Sequence, residues 1–369
     1  MSNSPTGVYR SRGRRRASRA RRWLVVVASV AALGLIAWPV MSYYEIPPFT
    51  DKGDPVSYGR ADGANGGKPA DSGTLMPTGP DADFRNAGTK SDGTKISVVT
   101  LDGKKSGFKG KVWVWAPKEY TDDPKFAKSG FPVLIALPGG PGYESNYWIG
   151  PFDTPDKQKV SLQSSISKWY HEGTSKPFLL AMPVLNPGPD DKGIYWDASD
   201  IPGQQKMGTW LTEDVPDLMK ANFRTIKSRD GWAYMGSSTG GFASLKSVLK
   251  HPDKFKAAVA NGPDIVPDSP LWRGHAKEMR ENNPEVLAEQ LADTKGPDVY
   301  LAFQYGTKEN GKMISDVKKF IATYGKGPVH TKLWEIPGGS HNAGTYLSNM
   351  QNPLKWISDQ LEGPTPTTS

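Results

Sequence analysis

The stretch "GWAYMGSSTGGFASL", residues 231–245, decides how the rest of the chain is read. A short apolar and aromatic run, Trp232 to Met235, ends in Gly236-Ser237-Ser238-Thr239-Gly240, and a helical pattern follows Gly241. A serine centred in Gly-x-Ser-x-Gly between a strand and a helix sits on a strained turn that exposes its hydroxyl, and this frame sets Ser238, not Ser237, at the tip. The same residues also suit a glycine-rich turn whose serine merely caps the helix. The segments on either side separate the two readings.

Short apolar runs alternate there with helical ones. "KISVVTL" (95–101) and "KVWVWAP" (111–117) read as an opening pair of strands, rich in β-branched and aromatic residues, followed by "FPVLIALPGG" (131–140) and "PFLLAMPVL" (177–185). Next come a helix over about 214–223, the 231–236 run, a helix after Gly241, "FKAAVANG" (255–262) and "DVYLAFQYG" (298–306). A helix near 313–324, "KLWEIPGG" (332–339) and a last helix over about 352–361 close the pattern. Apolar strands separated by helices predict a doubly wound, mainly parallel α/β sheet buried on both faces. Ligands of such sheets sit at the carboxyl ends of the strands, where Ser238 stands.

A serine hydroxyl is a poor nucleophile until a base takes its proton, and that base is usually a histidine held by a carboxylate. Of five histidines, His171 and His275 lie in loops, His251 follows a helix and His330 precedes the last strand. His341 falls just beyond that strand, in "IPGGSHNAG", at the expected active edge. For the acid, Glu309 lies three residues after the strand ending at Gly306; Asp264, after the preceding strand, is the runner-up, and Asp316 is too far along its helix. The order serine, acid, histidine is that of α/β-hydrolases. Backbone N–H groups would stabilise an oxyanion: Thr239, after the serine, supplies one. "ALPGGPG" supplies the other from Gly140, because Pro138 and Pro141 have no N–H to donate.

The flanks speak to location. Residues 1–22 carry eight arginines and no acid, and without them the net charge of +8 vanishes, leaving 38 Lys and Arg against 38 Asp and Glu. The remaining chain therefore lacks the cationic footprint that nucleic-acid binding requires. Trp23 to Tyr44 contains no charged residue and would span roughly 33 Å as a helix, enough for a hydrocarbon core. Arginines on its amino side place the rest of the chain outside the cytoplasm by the positive-inside rule. Cleavage as a signal peptide, after Val40-Met41-Ser42, is the alternative, disfavoured by the length of the run and the lack of an Ala-x-Ala site. Residues 45–92, rich in Pro, Gly, Asp and Ser, read as a flexible stalk, and 363–369 as a tail, around a catalytic domain at 93–362. The absence of cysteine excludes disulfides and thiol chemistry. No cofactor or metal is implied, since Asp190 and Asp191 lack metal-ligand spacing.

From about residue 95 to 361 the chain resembles the esterase D family, and within it the mycolyltransferases of mycolate-bearing cell walls. The resemblance rests on the elbow, the post-helix "HPDKF", "GTKEN" and "GGSHNAG". It implies an α/β-hydrolase fold, Ser238, Glu309 and His341 as a triad, and Gly140 and Thr239 as oxyanion donors. Mycolyltransferases carry Asp-Gly-Leu at the oxyanion loop, where this chain has Pro138-Gly139-Gly140, and their His-Ser-Trp stretch has no clear match. Ester chemistry is therefore better supported than trehalose binding. The expectation is a serine esterase acting on small-molecule or lipid acyl esters, with Tyr147, Trp148, Trp196, Trp210 and Trp272 lining an acyl pocket. The alternatives are an acyltransferase serving a sugar or lipid alcohol and a catalytically silent wall-binding module.

Overall fold

The computed structural model describes residues 53–58, 69–140, 145–154, 157–188 and 194–367. The basic arm (1–22) and the apolar segment (23–44) lie outside them, as do residues 45–52 and 59–68 of the expected stalk. Among the described residues no helix is long and apolar enough to cross a membrane.

The strands are, in chain order, β1 (Thr74–Leu75), β2 (Arg85–Thr89), β3 (Lys95–Asp102), β4 (Lys109–Trp115), β5 (Val133–Leu137), β6 (Pro151–Asp153) and β7 (Lys159–Ser161). They continue as β8 (Leu179–Pro183), β9 (Thr225–Ile226), β10 (Trp232–Ser237), β11 (Ala257–Asn261), β12 (Val299–Gly306) and β13 (Val329–Ile336). One sheet joins nine of them in the order β13-β12-β11-β10-β5-β8-β4-β3-β2. Neighbours run parallel from β13 to β8, and β4, β3 and β2 add antiparallel pairs at one edge. The central parallel strands carry apolar runs because both faces are covered: Val133 to Leu137 in β5 and Ala257 to Ala260 in β11 are all 0 % exposed, whereas the edge strand β13 carries His330, Lys332 and Glu335.

The helix Thr239–Lys250 packs against β10 and β11, completing the strand-turn-helix expected from the 231–245 stretch. The helix expected near 214 begins earlier, at Met207, and runs to Asn222 through a π turn at Trp210–Asp214. Pro216 lies just beyond that turn and has no N–H to continue an α ladder, so the widened turn absorbs the mismatch.

The stalk and the tail need correction where they are described. Within 45–92, Val56 N–H donates to Phe84 O, β1 pairs with β9, and β2 pairs with β3. The rings of Tyr58, Phe84 and Phe223 meet edge to face or tilted, and Phe84 is buried. At the other end Thr367 N–H donates to Lys125 O at 2.8 Å, and Ser129 Oγ bonds Thr365 O. Composition misleads here because main-chain hydrogen bonds and a few isolated rings dock these segments, neither of which leaves a periodic apolar pattern.

Candidate active site

Ser238 follows β10 at φ 56° and ψ −123°, a positive-φ backbone that few side-chain-bearing residues adopt. The conformation is held from two sides: Ser238 N–H donates to Asn261 O at the end of β11, and Ser238 O accepts from Phe242 N–H. Gly240 permits the close approach, since a Cβ there would lie 2.2 Å from Pro138 O. Ser238 occupies the N-cap of the following helix, yet its side chain makes no capping hydrogen bond. The side chain therefore does not act as a cap, and strain of this kind clusters at active sites.

Thr239 is the first helical residue, so its N–H has no intrahelical partner. Its hydroxyl donates to Gly140 O at 3.0 Å, joining the two segments expected to carry the oxyanion donors. Gly140 itself takes φ 90°. Asn186 also donates to Gly140 O, while its side-chain oxygen accepts from Trp196 N–H.

The carboxyl ends of β12 and β13 bring Glu309 and His341 together. Glu309, three residues past β12, is fully buried at its side chain, and its Oε2 lies 2.6 Å from Nδ1 of His341, whose side chain is 47 % exposed. The other carboxylate oxygen accepts from Gly306 N–H. With Nδ1 taken by Glu309, the imidazole has Nε2 available for a proton. The Glu309 hydrogen bond raises the His341 pKa above its ordinary value, against an opposing effect of burial. Asp264 makes no such contact among the described residues; burial raises its carboxyl, and it acts on His341 only through space.

Residues that the sequence did not single out complete this cluster. Tyr346, 1 % exposed, donates to Glu309 Oε2 at 2.9 Å and lies 2.8 Å from His341 Nδ1. Gly262, at φ 49°, provides the room: a Cβ there would sit 2.2 Å from Tyr346 Oη, 2.6 Å from Glu309 Oε2 and 2.9 Å from His341 Nδ1. The one signal for it was a glycine directly after an apolar strand, in "VANG".

The aromatic pocket is the second correction. Trp148 and Trp210 are 0 % exposed, with indole N–H groups on Leu137 O and Val184 O, and Trp272 is buried with its indole N–H on Asp197. All three are core, since a tryptophan satisfied by main chain or carboxylate in the interior has no face for a ligand. Trp196 is half-buried beside the Gly140 segment. Tyr147 is half-buried, and its hydroxyl accepts from Gly139 N–H at 2.6 Å and bonds Ser237 Oγ, which ties the loop after β5 to the elbow.

The sheet order, the elbow after β10 and the acid and histidine after β12 and β13 define an α/β-hydrolase fold. The esterase family, described as "Putative esterase", matches residues 107–349, and the chain belongs to it. Among relatives, it is 23 % identical over 271 residues to an uncharacterised Corynebacterium glutamicum protein, covering 70 % of this chain and 59 % of that protein. The chain thus spans less than two thirds of that relative's length. It is 25 % identical over 228 residues to an S-formylglutathione hydrolase of Mus musculus, covering 51 % of this chain and 74 % of the enzyme. A ferulic acid esterase structure superposes with a TM-score of 0.57 at 19 % identity, covering 73 % of this chain and 99 % of the esterase, a likeness of fold.

Proposed function

We propose that the chain is a serine ester hydrolase working through an acyl-Ser238 intermediate. The observation that carries this reading is the placement, past the carboxyl ends of strands of one sheet, of a strained Ser238 that caps nothing and of a His341 held at Nδ1 by the buried Glu309. In the reaction Ser238 Oγ adds to the ester carbonyl carbon while His341 Nε2 takes its proton. The carbonyl oxygen becomes an oxyanion, stabilised by the N–H groups of Thr239 and Gly140. Collapse breaks the carbon–oxygen bond to the alcohol, which leaves with the proton from His341. Water then adds to the acyl-serine in the same manner, and the acid departs. Glu309 keeps its place throughout, fixing the tautomer and stabilising the imidazolium.

Acyl transfer to an alcohol would use the same acyl-enzyme and differ only in the second nucleophile. Pro138 offers no carboxylate where the mycolyltransferases that the sequence resembles have Asp, so hydrolysis is preferred. The uncharged run from Trp23 to Tyr44, behind its arginines, supports a domain held at the outer face of a membrane. Small-molecule or lipid acyl esters at that face are the substrate class.

Fluorophosphonate labelling tests the mechanism. The native chain should take one label at Ser238, and Ser238→Ala should take none while losing ester turnover by several orders of magnitude with its fold intact. Label retained by Ser238→Ala and lost from Ser237→Ala would shift the nucleophile to Ser237.

A further inference from the structure

We propose that Tyr346 is a positioning residue for the acid–base pair, a hydroxyl that holds the Glu309 carboxylate and thereby sets how strongly His341 keeps its proton. The inference rests on the reading of Glu309 and His341 as the acid–base pair.

Three heavy atoms form a closed triangle: His341 Nδ1 to Glu309 Oε2 at 2.6 Å, Tyr346 Oη to Glu309 Oε2 at 2.9 Å, and Tyr346 Oη to His341 Nδ1 at 2.8 Å. A phenol has one proton to give, and the geometry directs it to Glu309 Oε2. Burial, reinforced by the Glu309 charge, pushes the Tyr346 phenol well above its ordinary pKa, so the hydroxyl remains a donor throughout the working range. With Gly306 N–H on Oε1, the buried carboxylate is gripped at both oxygens, and Oε2 is shared between tyrosine and histidine. A donor on Oε2 withdraws charge from the atom facing the imidazole. Without it the carboxylate attracts the imidazolium proton more strongly.

The arrangement has a cost in space that the fold meets on a third strand. Gly262 follows β11, and any side chain there would collide with Tyr346 Oη, Glu309 Oε2 and His341 Nδ1. Tyr346 itself arrives from the short helix Ala343–Ser348, whose N-cap Asn342 directly follows His341. The base and the hydroxyl that positions its partner are thus set by one turn of chain, and the acid comes from another.

Tyr346→Phe is the test, because it deletes one oxygen from a buried ring and preserves its shape. Its kcat for a soluble ester should fall on the order of tenfold with KM unchanged. The acid limb of kcat/KM should move up by about half a pH unit, as the carboxylate tightens its hold on the His341 proton. A purely structural role would lower activity equally at every pH. An unchanged limb, or one displaced downward, overturns the proposal. The imidazole Nδ1–H proton resonance of the folded variant is read in parallel: an altered resonance supports the proposal, and one identical to the native chain's overturns it. Failure of the underlying reading is distinguishable, since Ser238→Ala or Glu309→Gln would then leave turnover intact.

Discussion

At the level of single residues, two carboxylates compete for the role of acid in the proposed reaction. Glu309 bonds His341 Nδ1 directly from a buried site, whereas Asp264 is half-buried and reaches His341 only through space. Glu309→Gln should reduce kcat/KM by roughly 10³- to 10⁴-fold, by analogy with amide replacement of a triad acid. Asp264→Asn should cost less than about tenfold. The sign of the pH effect follows from the same hydrogen bond. Because Glu309 raises the His341 pKa, the neutral base accumulates only above the ordinary imidazole value, and the acid limb of the native enzyme should lie there. Glu309→Gln should bring that limb down, opposite to the effect of Tyr346→Phe. Rate–pH profiles of the three proteins check this; an acid limb unmoved by Glu309→Gln would return the role to Asp264. Gly262→Ala makes a separate prediction. The new methyl would meet all three polar atoms of the cluster, so kcat should drop on the order of 10²-fold through misplacement alone. The left-handed backbone adds a stability loss of about 1 kcal/mol, measurable by denaturant titration.

At the level of elements, the strand-to-helix punctuation around 236–241 was legible because it depends on local steric demands that glycine and serine advertise. The strands were legible for a related reason: burial on both faces leaves β5, β11 and β12 mostly apolar, with Asn261 and Gln304 as polar residues near their carboxyl ends, so the runs stand out from their neighbours. That Glu309 and His341 meet could be expected from their places just after strands, since the carboxyl edge of the sheet gathers those loops. Tyr346 could not. It sits in a short helix after His341, and nothing in "HNAGTY" says that the turn brings its ring back to Glu309. The loop tryptophans failed in the opposite direction, because a ring in a loop carries no mark of whether that loop folds inward. The elbow helix adds a feature equally invisible in sequence, Lys246, which is 2 % exposed. Its ammonium bonds Ala198 O and Ser199 Oγ and so holds the left-handed pair Asp197-Ala198. Burial lowers its pKa to about 7. Between that value and the ordinary lysine range the unfolded chain binds a proton that the folded chain lacks, so this group makes stability rise with pH there. Lys246→Met should flatten the rise, as read from Tm between about pH 7.5 and 9.5. An undiminished slope would place its origin elsewhere.

At the level of the whole molecule, the segment 70–74 and the C-terminal end of the described domain converge on one turn. Ala70 N–H donates to Lys128 O, Gly130 N–H to Thr74 Oγ1, and Ser129 Oγ bonds Thr365 O. That turn immediately precedes β5, so it lies at the amino edge of the sheet. Ser238, Glu309 and His341 occupy the carboxyl edge. The core of the sheet stands between the two. A strand rises about 3.3 Å per residue, so the five residues of β5 alone set the convergence point on the order of 16 Å from the reacting edge. The domain is consequently stitched at one edge of the sheet and carries the proposed site at the other. A pull transmitted through the C-terminal end would load the stitched turn and leave the loops of the proposed site slack, and a molecule grafted to a bead by its last residues would turn the edge that carries Ser238 outward.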